Sequence, residues 1–117
     1  MAQDSLSALK SRLQAFAAER DWDQFHSPKN LSMALNVEAA ELLEHFQWLT
    51  EEQSPNLPEE KLKEVAYEMA DIQVYLIRMA DKLKIDLLGT VEEKLELNAK
   101  KYPADQVRGS AKKYTEY

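Results

Sequence analysis

Acidic residues recur at helical spacing in two places where the surrounding residues are apolar. Glu38 and Glu41 are three residues apart, and Glu68 and Asp71 repeat this spacing further along the chain. Residues three or four apart share a face of an α-helix, because each residue turns the helix by about 100°. Each acidic pair therefore lies on a helix face that its neighbours predict to be packed.

Both acidic pairs interrupt an apolar stripe. Glu38 lies between Leu35 and Leu42 on its helix face, and Glu68 interrupts the seam around Val65 in the same way. Burying a carboxylate without a partner costs of the order of several kcal/mol. A hard divalent cation such as Mg²⁺ would neutralise the carboxylates, and it can share its shell with substrate phosphates. We expect one magnesium site if the two helices pack antiparallel, as the short linker between them favours.

The acidic pairs have two other interpretations. A single E-x-x-E pair is usually a solvated helix face, but two pairs that both enter apolar seams favour a shared site. A di-iron bundle needs E-x-x-H ligand sets, and neither His26 nor His45 follows a glutamate by three residues. Glu44 continues the first acidic row, either as a solvent residue or as an auxiliary group of the site.

The segment at positions 21–30 combines aromatic and polar residues and is interrupted by Pro28, so we predict a loop. It contains Trp22, Phe25 and His26. Loops with such residues are candidate walls of a ligand site. The alternative is that the two aromatic side chains only cover the core.

A polar row occurs later in the sequence, where Lys94, Asn98 and Tyr102 are four residues apart. This spacing puts the three side chains along one helix edge. Lys94 could bind phosphate, and the amide of Asn98 offers a donor and an acceptor to a base or sugar. On spacing alone, an ordinary polar helix edge is the favoured interpretation.

The composition limits the class of protein. The chain has 117 residues, a net charge of -6 and no long basic run, so we expect no binding to a nucleic-acid polymer. It contains no cysteine, which excludes disulfides, zinc-thiolate sites and cysteine catalysis. No apolar run reaches membrane-spanning length, and the N-terminus lacks a signal-peptide pattern, so we expect a cytoplasmic protein without membrane contact.

The pattern of apolar residues predicts an all-α fold. The chain contains only two glycines and four prolines, and 44% of its residues are hydrophobic, which favours long helices over strands and turns. We predict helices over about 4–20, 30–49, 58–84 and 86–103, the last capped by Asp86 and ended by Pro103. Residues 1–103 would form the catalytic domain, and residues 104–117 a polar, irregular tail.

Four ordered segments carry a family resemblance. They are R-D-W-D-Q-F-H-S-P-K-N at 20–30, E-A-A-E-L-L-E-H-F-Q-W at 38–48, E-M-A-D-I-Q-V-Y-L at 68–76 and K-L-E-L-N-A-K-K-Y-P at 94–103. Together they resemble the MazG-like, all-α nucleoside triphosphate pyrophosphohydrolases, and most of all the dCTP pyrophosphatase branch. The K-K-Y-T-E-Y tail is similar to that branch as well.

The resemblance implies an activity and an assembly. It implies a four-to-five-helix fold, Mg²⁺-dependent hydrolysis of a deoxynucleoside triphosphate to monophosphate and pyrophosphate, and a role in cleansing the nucleotide pool. We expect dCTP and its modified forms as the preferred substrates. The family also implies a homodimer or homotetramer whose pocket takes residues from more than one subunit.

The resemblance implies a role for each site residue. Glu38, Glu41, Glu68 and Asp71 would hold Mg²⁺, with Glu44 as an auxiliary group. Trp22, His26 and Trp48 would line the base pocket, Tyr75 and Asn98 would lie near the nucleoside, and Lys94 and Tyr102 would contact phosphates.

Two other functions stay open at this point. A non-enzymatic helical module could self-associate or bind a partner helix, with the carboxylates in interfacial salt bridges. A hydrolase of the same fold could act on another nucleotide that contains a diphosphate. Melting with Mg²⁺ and nucleotide would separate the module from an enzyme, and a panel of nucleotides would separate the two hydrolases.

Overall fold

The structure, a computed structural model, describes residues 2–110, with side chains from residue 5 onward. These residues form five α-helices and a single 3-10 turn, Asp23–Phe25. The helices are α1 (Ala2–Glu19), α2 (Pro28–Glu44), α3 (Glu59–Leu83), α4 (Leu87–Lys101) and α5 (Ala104–Val107). No strand occurs between residues 2 and 110, so the predicted all-α class is confirmed.

The chain divides into two compact units between Lys84 and Ile85. The first unit contains α1, α2 and α3, and the second contains α4 and α5. The predicted boundary after residue 103 stays a prediction. The expected irregular tail is wrong for Ala104–Val107, which form a helical turn after Pro103, and residues 111–117 lie outside the described part of the chain.

Helix α2 begins two residues earlier than predicted. The Ser27 hydroxyl caps it by accepting a hydrogen bond from the Asn30 amide at 3.1 Å. Pro28 follows at the first helical position, where its missing N–H breaks no helical hydrogen bond. The interpretation of Pro28 as a loop residue is therefore wrong, because proline interrupts a helix only further inside it.

Helix α2 also ends earlier than predicted, at Glu44 rather than near Trp48. The next amides bond three residues back, from His45 to the Leu42 carbonyl at 3.2 Å and from Phe46 to the Leu43 carbonyl at 2.9 Å. This tighter pattern turns the chain out of the α-helix. Residues 45–48 are consequently turns that lead into the linker before α3.

Helix α3 follows the predicted bounds closely. Glu59 and Glu60 occupy its first turn and Lys82 its last, which matches the helix dipole at both ends. Lys84 adopts a left-handed conformation with φ 59° and ψ 40°. Such a residue stops the helical hydrogen bonds and ends α3 there.

The core of the first unit is small. Its fully packed apolar side chains include Ala17 of α1, Leu31 of α2, and Val65 and Ile77 of α3. Helices α2 and α3 form the main helix pair. Side-chain contacts late in α2 meet residues early in α3, as between His45 and Glu64, so the two helices run antiparallel as the short linker predicts.

Helix α4 begins where the sequence predicts it. The Asp86 carboxylate accepts a hydrogen bond from the Gly89 amide at 3.2 Å. A Cβ atom at Gly89 would collide with this same carboxylate, so any other residue there would require the Asp86 side chain to shift. The helix ends before Pro103, as predicted.

Among residues 2–110, no helix combines the length and the apolar character that crossing a membrane requires.

Candidate active site

Three glutamates meet between α2 and α3. Carboxylate oxygens of Glu38, Glu41 and Glu68 all lie within 4.8 Å of one another. Glu38 and Glu41 share one face of α2, and the antiparallel packing brings Glu68 of α3 opposite them. The structure thus brings together three of the four residues predicted as metal ligands, and we call Glu38, Glu41 and Glu68 the acidic cluster.

Asp71, the fourth predicted ligand, lies one helical turn beyond Glu68 and is exposed. It is not one of the three residues whose oxygens converge. Its negative charge still acts on Glu38, where it contributes to raising the pKa of that carboxyl. Asp71 therefore stands beside the acidic cluster and also faces the cleft described below.

The acidic cluster holds more negative charge than its surroundings balance. Burial, then hydrogen bonding to Glu68 and Glu41, raises the pKa of Glu38 from 4.5 to about 7. One buried carboxylate oxygen of Glu38 and one of Glu68 have no hydrogen-bond partner. Buried polar atoms are almost always paired, so two such oxygens side by side indicate a site for a positively charged ligand.

The donor set fits a hard divalent cation. Every donor is a carboxylate oxygen, which is what Mg²⁺ and Ca²⁺ prefer. The two unpartnered oxygens point to the same conclusion, since a cation would satisfy both of them. The acidic cluster can therefore hold a metal ion.

His45 lies against the acidic cluster, although the sequence did not indicate a role for it. Its Nε2 is 3.8 Å from a Glu68 oxygen, and its Nδ1 is 4.0 Å from a Glu64 oxygen. The available signal was its position four residues after Glu41, on the same face of the helix. Lys61 pairs with Glu64 at 3.3 Å, so one positive side chain adjoins this end of the cluster.

A cleft of about 450 Å³ opens between α1, the 3-10 turn and α3. This volume falls in the range of small-molecule sites. Its lining is mostly apolar and aromatic, with a few polar groups: Leu13, Phe16, Ala17, Trp22, His26, Asp71, Val74, Tyr75 and Arg78. Such a lining suits a flat heterocyclic ring better than a charged group.

The aromatic wall of the cleft includes Trp22, as the sequence predicts, and also Phe16 of α1. Their rings meet edge to face, with centroids 5.8 Å apart. The Arg20 guanidinium lies 3.6 Å from the centroid of the Phe16 ring, a cation–π contact. Helical spacing alone cannot distinguish a core face from a cleft face, which is why Phe16 was missed.

A left-handed residue turns the chain between α1 and Trp22. Asp21 has a φ of 55°, a conformation that aspartate tolerates better than most residues. Its carboxylate and its carbonyl accept hydrogen bonds from the Gln24 side chain at 2.9 and 3.0 Å. These contacts close the turn and fix the position from which Trp22 enters the cleft.

Tyr75 links the cleft to the acidic cluster. It lines the cleft. Burial raises the pKa of its hydroxyl, and the negative charges of Glu38, Asp71 and Glu41 raise it further. Asp71 lines the cleft as well and lies one helical turn from Glu68 on α3, so the acidic cluster borders the cleft. A ligand in the cleft would therefore have its anionic end near the cluster.

The 3-10 turn is tied to α3 by the ion pairs of Asp23. Asp23 accepts hydrogen bonds from Lys82 at 2.6 Å and from Arg78 at 2.8 Å, and these two bonds hold its pKa below the ordinary value. Arg78 is only 3% exposed. The structure thus directs both Arg78 and Lys82 toward Asp23.

His26 lines the cleft beside this anchor, as predicted. Its Nδ1 accepts a hydrogen bond from Nε of Arg78 at 3.3 Å. Burial, then the positive charge of Arg78, lowers the pKa of His26. The ring is therefore held neutral at physiological pH.

Trp48 and Glu44 do not line the cleft in this single chain. Trp48 lies in the turns after α2 and is 86% exposed. Glu44 is the exposed last residue of α2. Helix α2 ends at Glu44, so Trp48 lies beyond the helix that carries Glu38 and Glu41.

Lys94, Asn98 and Tyr102 lie in the second unit, along α4 and at its end. Asn98 and Tyr102 are half-buried, and Lys94 is exposed. The Tyr102 amide donates to the Asn98 carbonyl at 2.8 Å and closes the last helical turn. Their predicted contacts with the nucleoside and the phosphates stay predictions.

A family model described as MazG-like matches residues 33–117, and the chain belongs to this family. This match covers both acidic pairs. The five-helix architecture with its acidic pairs on two antiparallel helices agrees with the membership that the sequence motifs indicated.

The chain is similar to human and mouse dCTP pyrophosphatase 1. It is 45% identical to the human protein over 104 residues and 44% identical to the mouse protein over 103 residues, in each case with 86% of this chain and 61% of the relative covered. The chain thus spans about three fifths of the length of these curated relatives.

A solved structure shares the fold. The crystal structure of a pyrophosphatase from Archaeoglobus fulgidus superposes with a TM-score of 0.80 at 36% identity, over 85% of this chain and 93% of that one. The predicted MazG-like helical fold is confirmed by this likeness.

Proposed function

We propose that this chain is a nucleoside triphosphate pyrophosphohydrolase that cleaves dCTP to dCMP and pyrophosphate. The observation that carries the proposal is the acidic cluster at the border of an aromatic cleft of about 450 Å³. The cleft suits a base, and the cluster suits the cation that accompanies a triphosphate. The relatives named dCTP pyrophosphatase 1 support dCTP as the substrate.

Mg²⁺ is the proposed cofactor, held by Glu38, Glu41 and Glu68 with Asp71 beside them. When bound, it would neutralise phosphate charge and favour the attack of water on the α-phosphorus. The proposal accounts for the overall charge, since a chain of net charge -6 needs a cation to hold an anionic substrate.

The side chains of the site would hold the substrate and guide a proton. A carboxylate of the acidic cluster accepts a proton from the water that attacks the α-phosphorus. A bond forms between the water oxygen and this phosphorus, and the bond from the phosphorus to the bridging oxygen breaks. The electron pair leaves with pyrophosphate, so one nucleotide and one water give one monophosphate and one pyrophosphate.

Trp22 and Tyr75 would pack against the base from the cleft walls. Stacking of a base on an aromatic side chain contributes about 1–3 kcal/mol in proteins that bind single strands. Stacking tolerates any base, so the preference for cytosine would come from His26 and Asn98. Lys94 and Tyr102 are proposed to contact the phosphates, and Glu44 to assist the acidic cluster.

A homodimer or homotetramer is proposed as the working assembly. Trp48 is 86% exposed and Leu43 is 60% exposed near the end of α2. Large apolar side chains that cluster on a surface favour a protein interface. In an assembly, Trp48 of one copy could complete the base pocket of another, as the family resemblance implies.

The test is a panel of nucleotides incubated with Mg²⁺ and separated by chromatography. We expect dCTP to be cleaved fastest, with dCMP and pyrophosphate as the products. Release of orthophosphate, or no turnover of any nucleotide, would contradict the proposal. The same panel in EDTA serves as the control for the metal, and it should show no product.

Mg²⁺ with a non-hydrolysable dCTP analogue should also raise the melting temperature. A ligand at 100 times its Kd stabilises a folded protein by about 2.7 kcal/mol. An unchanged melting temperature would favour the non-enzymatic helical module. Cleansing of the nucleotide pool is the role that such an activity would serve.

A further inference from the structure

Arg78 is the one charged side chain in the buried class among the residues whose burial is described. Each of the three guanidinium nitrogens contacts a different residue. Nη2 donates to Asp23 at 2.8 Å, Nη1 lies 3.5 Å from Asp81, and Nε donates to His26 at 3.3 Å. The first two contacts are ion pairs, whereas the third joins a cation to a neutral ring.

The contact from Nε determines where His26 carries its proton. Arginine has no lone pair to accept a hydrogen bond, so Nδ1 of His26 must be the unprotonated nitrogen. The hydrogen of the neutral ring then resides on Nε2. Since His26 lines the cleft, a hydrogen-bond donor is offered to whatever occupies it.

The groups around His26 favour the neutral ring. Asp23 of its own turn is neutralised by Arg78 and Lys82, and both cations lie on α3. The other titratable groups that line the cleft with His26 are Asp71, Tyr75 and Arg78, all on α3. Helix α1 contributes only the apolar Leu13, Phe16 and Ala17 there. Burial and the charge of Arg78 lower the pKa of His26, in agreement with the hydrogen-bond geometry.

We propose that Arg78 is a positioning residue that holds His26 as a neutral donor through Nε2 and thereby favours a base with an unprotonated ring nitrogen on its pairing edge. This inference rests on the proposed function. Cytosine presents an unprotonated N3 on that edge, whereas N3 of thymine carries a hydrogen. A His26 donor directed at the N3 position would therefore favour dCTP over dTTP, although stacking on the aromatic wall would treat them alike.

Arg78 also anchors the 3-10 turn through Asp23, so the experiment must separate anchoring from positioning. Arg78→Lys keeps a cation for Asp23 and Asp81 but removes the Nε–H donor. Lys82→Met is the matched control, because Lys82 binds the same Asp23 oxygen at 2.6 Å without a hydrogen bond to His26. Arg78→Met removes both functions, and circular dichroism shows whether each variant stays folded.

The first measurement is long-range ¹⁵N–¹H NMR of the imidazole nitrogens, with His26→Ala to assign the signal of one of the two histidines. In the wild type near pH 7, Nδ1 should show the shift of an unprotonated nitrogen and Nε2 that of a protonated one. In Arg78→Lys, both shifts should move toward the average of the two tautomers and the imidazolium. Lys82→Met should keep the wild-type pattern.

The second measurement is a double-mutant cycle in the nucleotide assay. Arg78→Lys should raise the KM for dCTP about three- to tenfold, the size expected for one hydrogen bond, and leave kcat within about twofold. The ratio of kcat/KM for dCTP over dTTP should fall by a similar factor. In the His26→Ala background, Arg78→Lys should have almost no further effect, since coupled residues are not additive.

Two outcomes would overturn the inference. A wild-type spectrum with the proton on Nδ1 would remove the proposed donor. An equal loss from Arg78→Lys with and without His26 would show that Arg78 acts only as an anchor. The NMR result does not depend on turnover, so failure of the proposed activity would be recognised separately, by the absence of any cleaved nucleotide.

Discussion

Two groups of charged side chains lie along α3, and they differ in the balance of their charges. In the acidic cluster, three carboxylates converge and two buried oxygens lack a hydrogen-bond partner. Around Arg78, each charge has an opposite partner, as in the pairs with Asp23 and Asp81. In the balanced group around Arg78, the charges neutralise one another and hold the 3-10 turn in place. The unbalanced acidic cluster needs a positive ligand. Charge that is not neutralised by neighbouring side chains thus distinguishes a binding site from a structural ion-pair network.

The largest effect should come from removing a carboxylate at the unbalanced group. Glu38→Gln and Asp71→Asn should each lower kcat/KM for dCTP by at least about a hundredfold, because loss of cation binding removes several kcal/mol of transition-state stabilisation. Pyrophosphate release with Mg²⁺ measures the effect. Circular dichroism should show unchanged helix content, and two fully active variants would contradict the metal assignment.

A second test breaks the balanced group. Arg78→Met should lower the free energy of unfolding by about 3 kcal/mol, since the half-buried Asp81 carboxylate loses its cation. Urea denaturation followed by circular dichroism measures this change. Lys82→Met is the control, and it should cost much less, because the Lys82 side chain is 26% exposed and that of Arg78 is only 4% exposed.

Without metal, removing a charge from the acidic cluster should raise the stability of the fold, whereas removing Arg78 should lower it. The pKa of Glu38 is raised from 4.5 to about 7 in the folded state, so the folded chain binds a proton that the unfolded chain has released. Its contribution to stability is present below pH 4.5 and is lost as the pH rises through 7. At pH 8 in EDTA, Glu38→Gln should therefore unfold at a temperature about 3–8 °C above that of the wild type.

Thermal melts at several pH values measure this difference between Glu38→Gln and wild type. The gap should shrink toward zero near pH 4, where Glu38 is protonated in both the folded and the unfolded chain. Saturating Mg²⁺ should reverse the order at pH 8, since the cation stabilises only a cluster with its full set of carboxylates. A variant less stable than the wild type at pH 8 in EDTA would show that the cluster is balanced after all.

The smallest effect on stability should come from Trp48. Its side chain is 86% exposed, so Trp48→Ala should change the free energy of unfolding of a single chain by less than about 0.5 kcal/mol. Light scattering after size-exclusion chromatography shows whether the same variant weakens the proposed assembly. An assembly and a KM for dCTP that both match the wild type would contradict a role for Trp48 in the base pocket.

Much of the fold follows from local sequence rules. The long apolar period of α3 predicted its bounds, and Asp86 and Pro103 predicted those of α4. The sequence predicts the start of α2 two residues too late, because a proline occurs both in loops and at the first position of a helix. Its end was misplaced as well, since apolar periodicity continues through residues 45–48 although the backbone turns there.

The acidic cluster could be predicted because a carboxylate on an apolar seam is visible in the sequence. Glu38 and Glu68 conflict with their neighbours, and that conflict marks them. Arg78 carries no such mark, since a charged residue on a long helix is usually solvated. Its burial depends on Asp23, fifty-five residues away along the chain, and only the folded arrangement reveals this contact.

The antiparallel pairing of α2 and α3 has a consequence for insertions and deletions. The acidic cluster exists because the packing of α2 against α3 places Glu38 and Glu41 opposite Glu68. One residue inserted between Val65 and Glu68 would rotate the later part of α3 by about 100° relative to its start. The same insertion at positions 51–56 would fall in the turns that join the helices, where added length costs little. Related chains should therefore vary in the length of this connection while the spacing within each acidic helix stays constant.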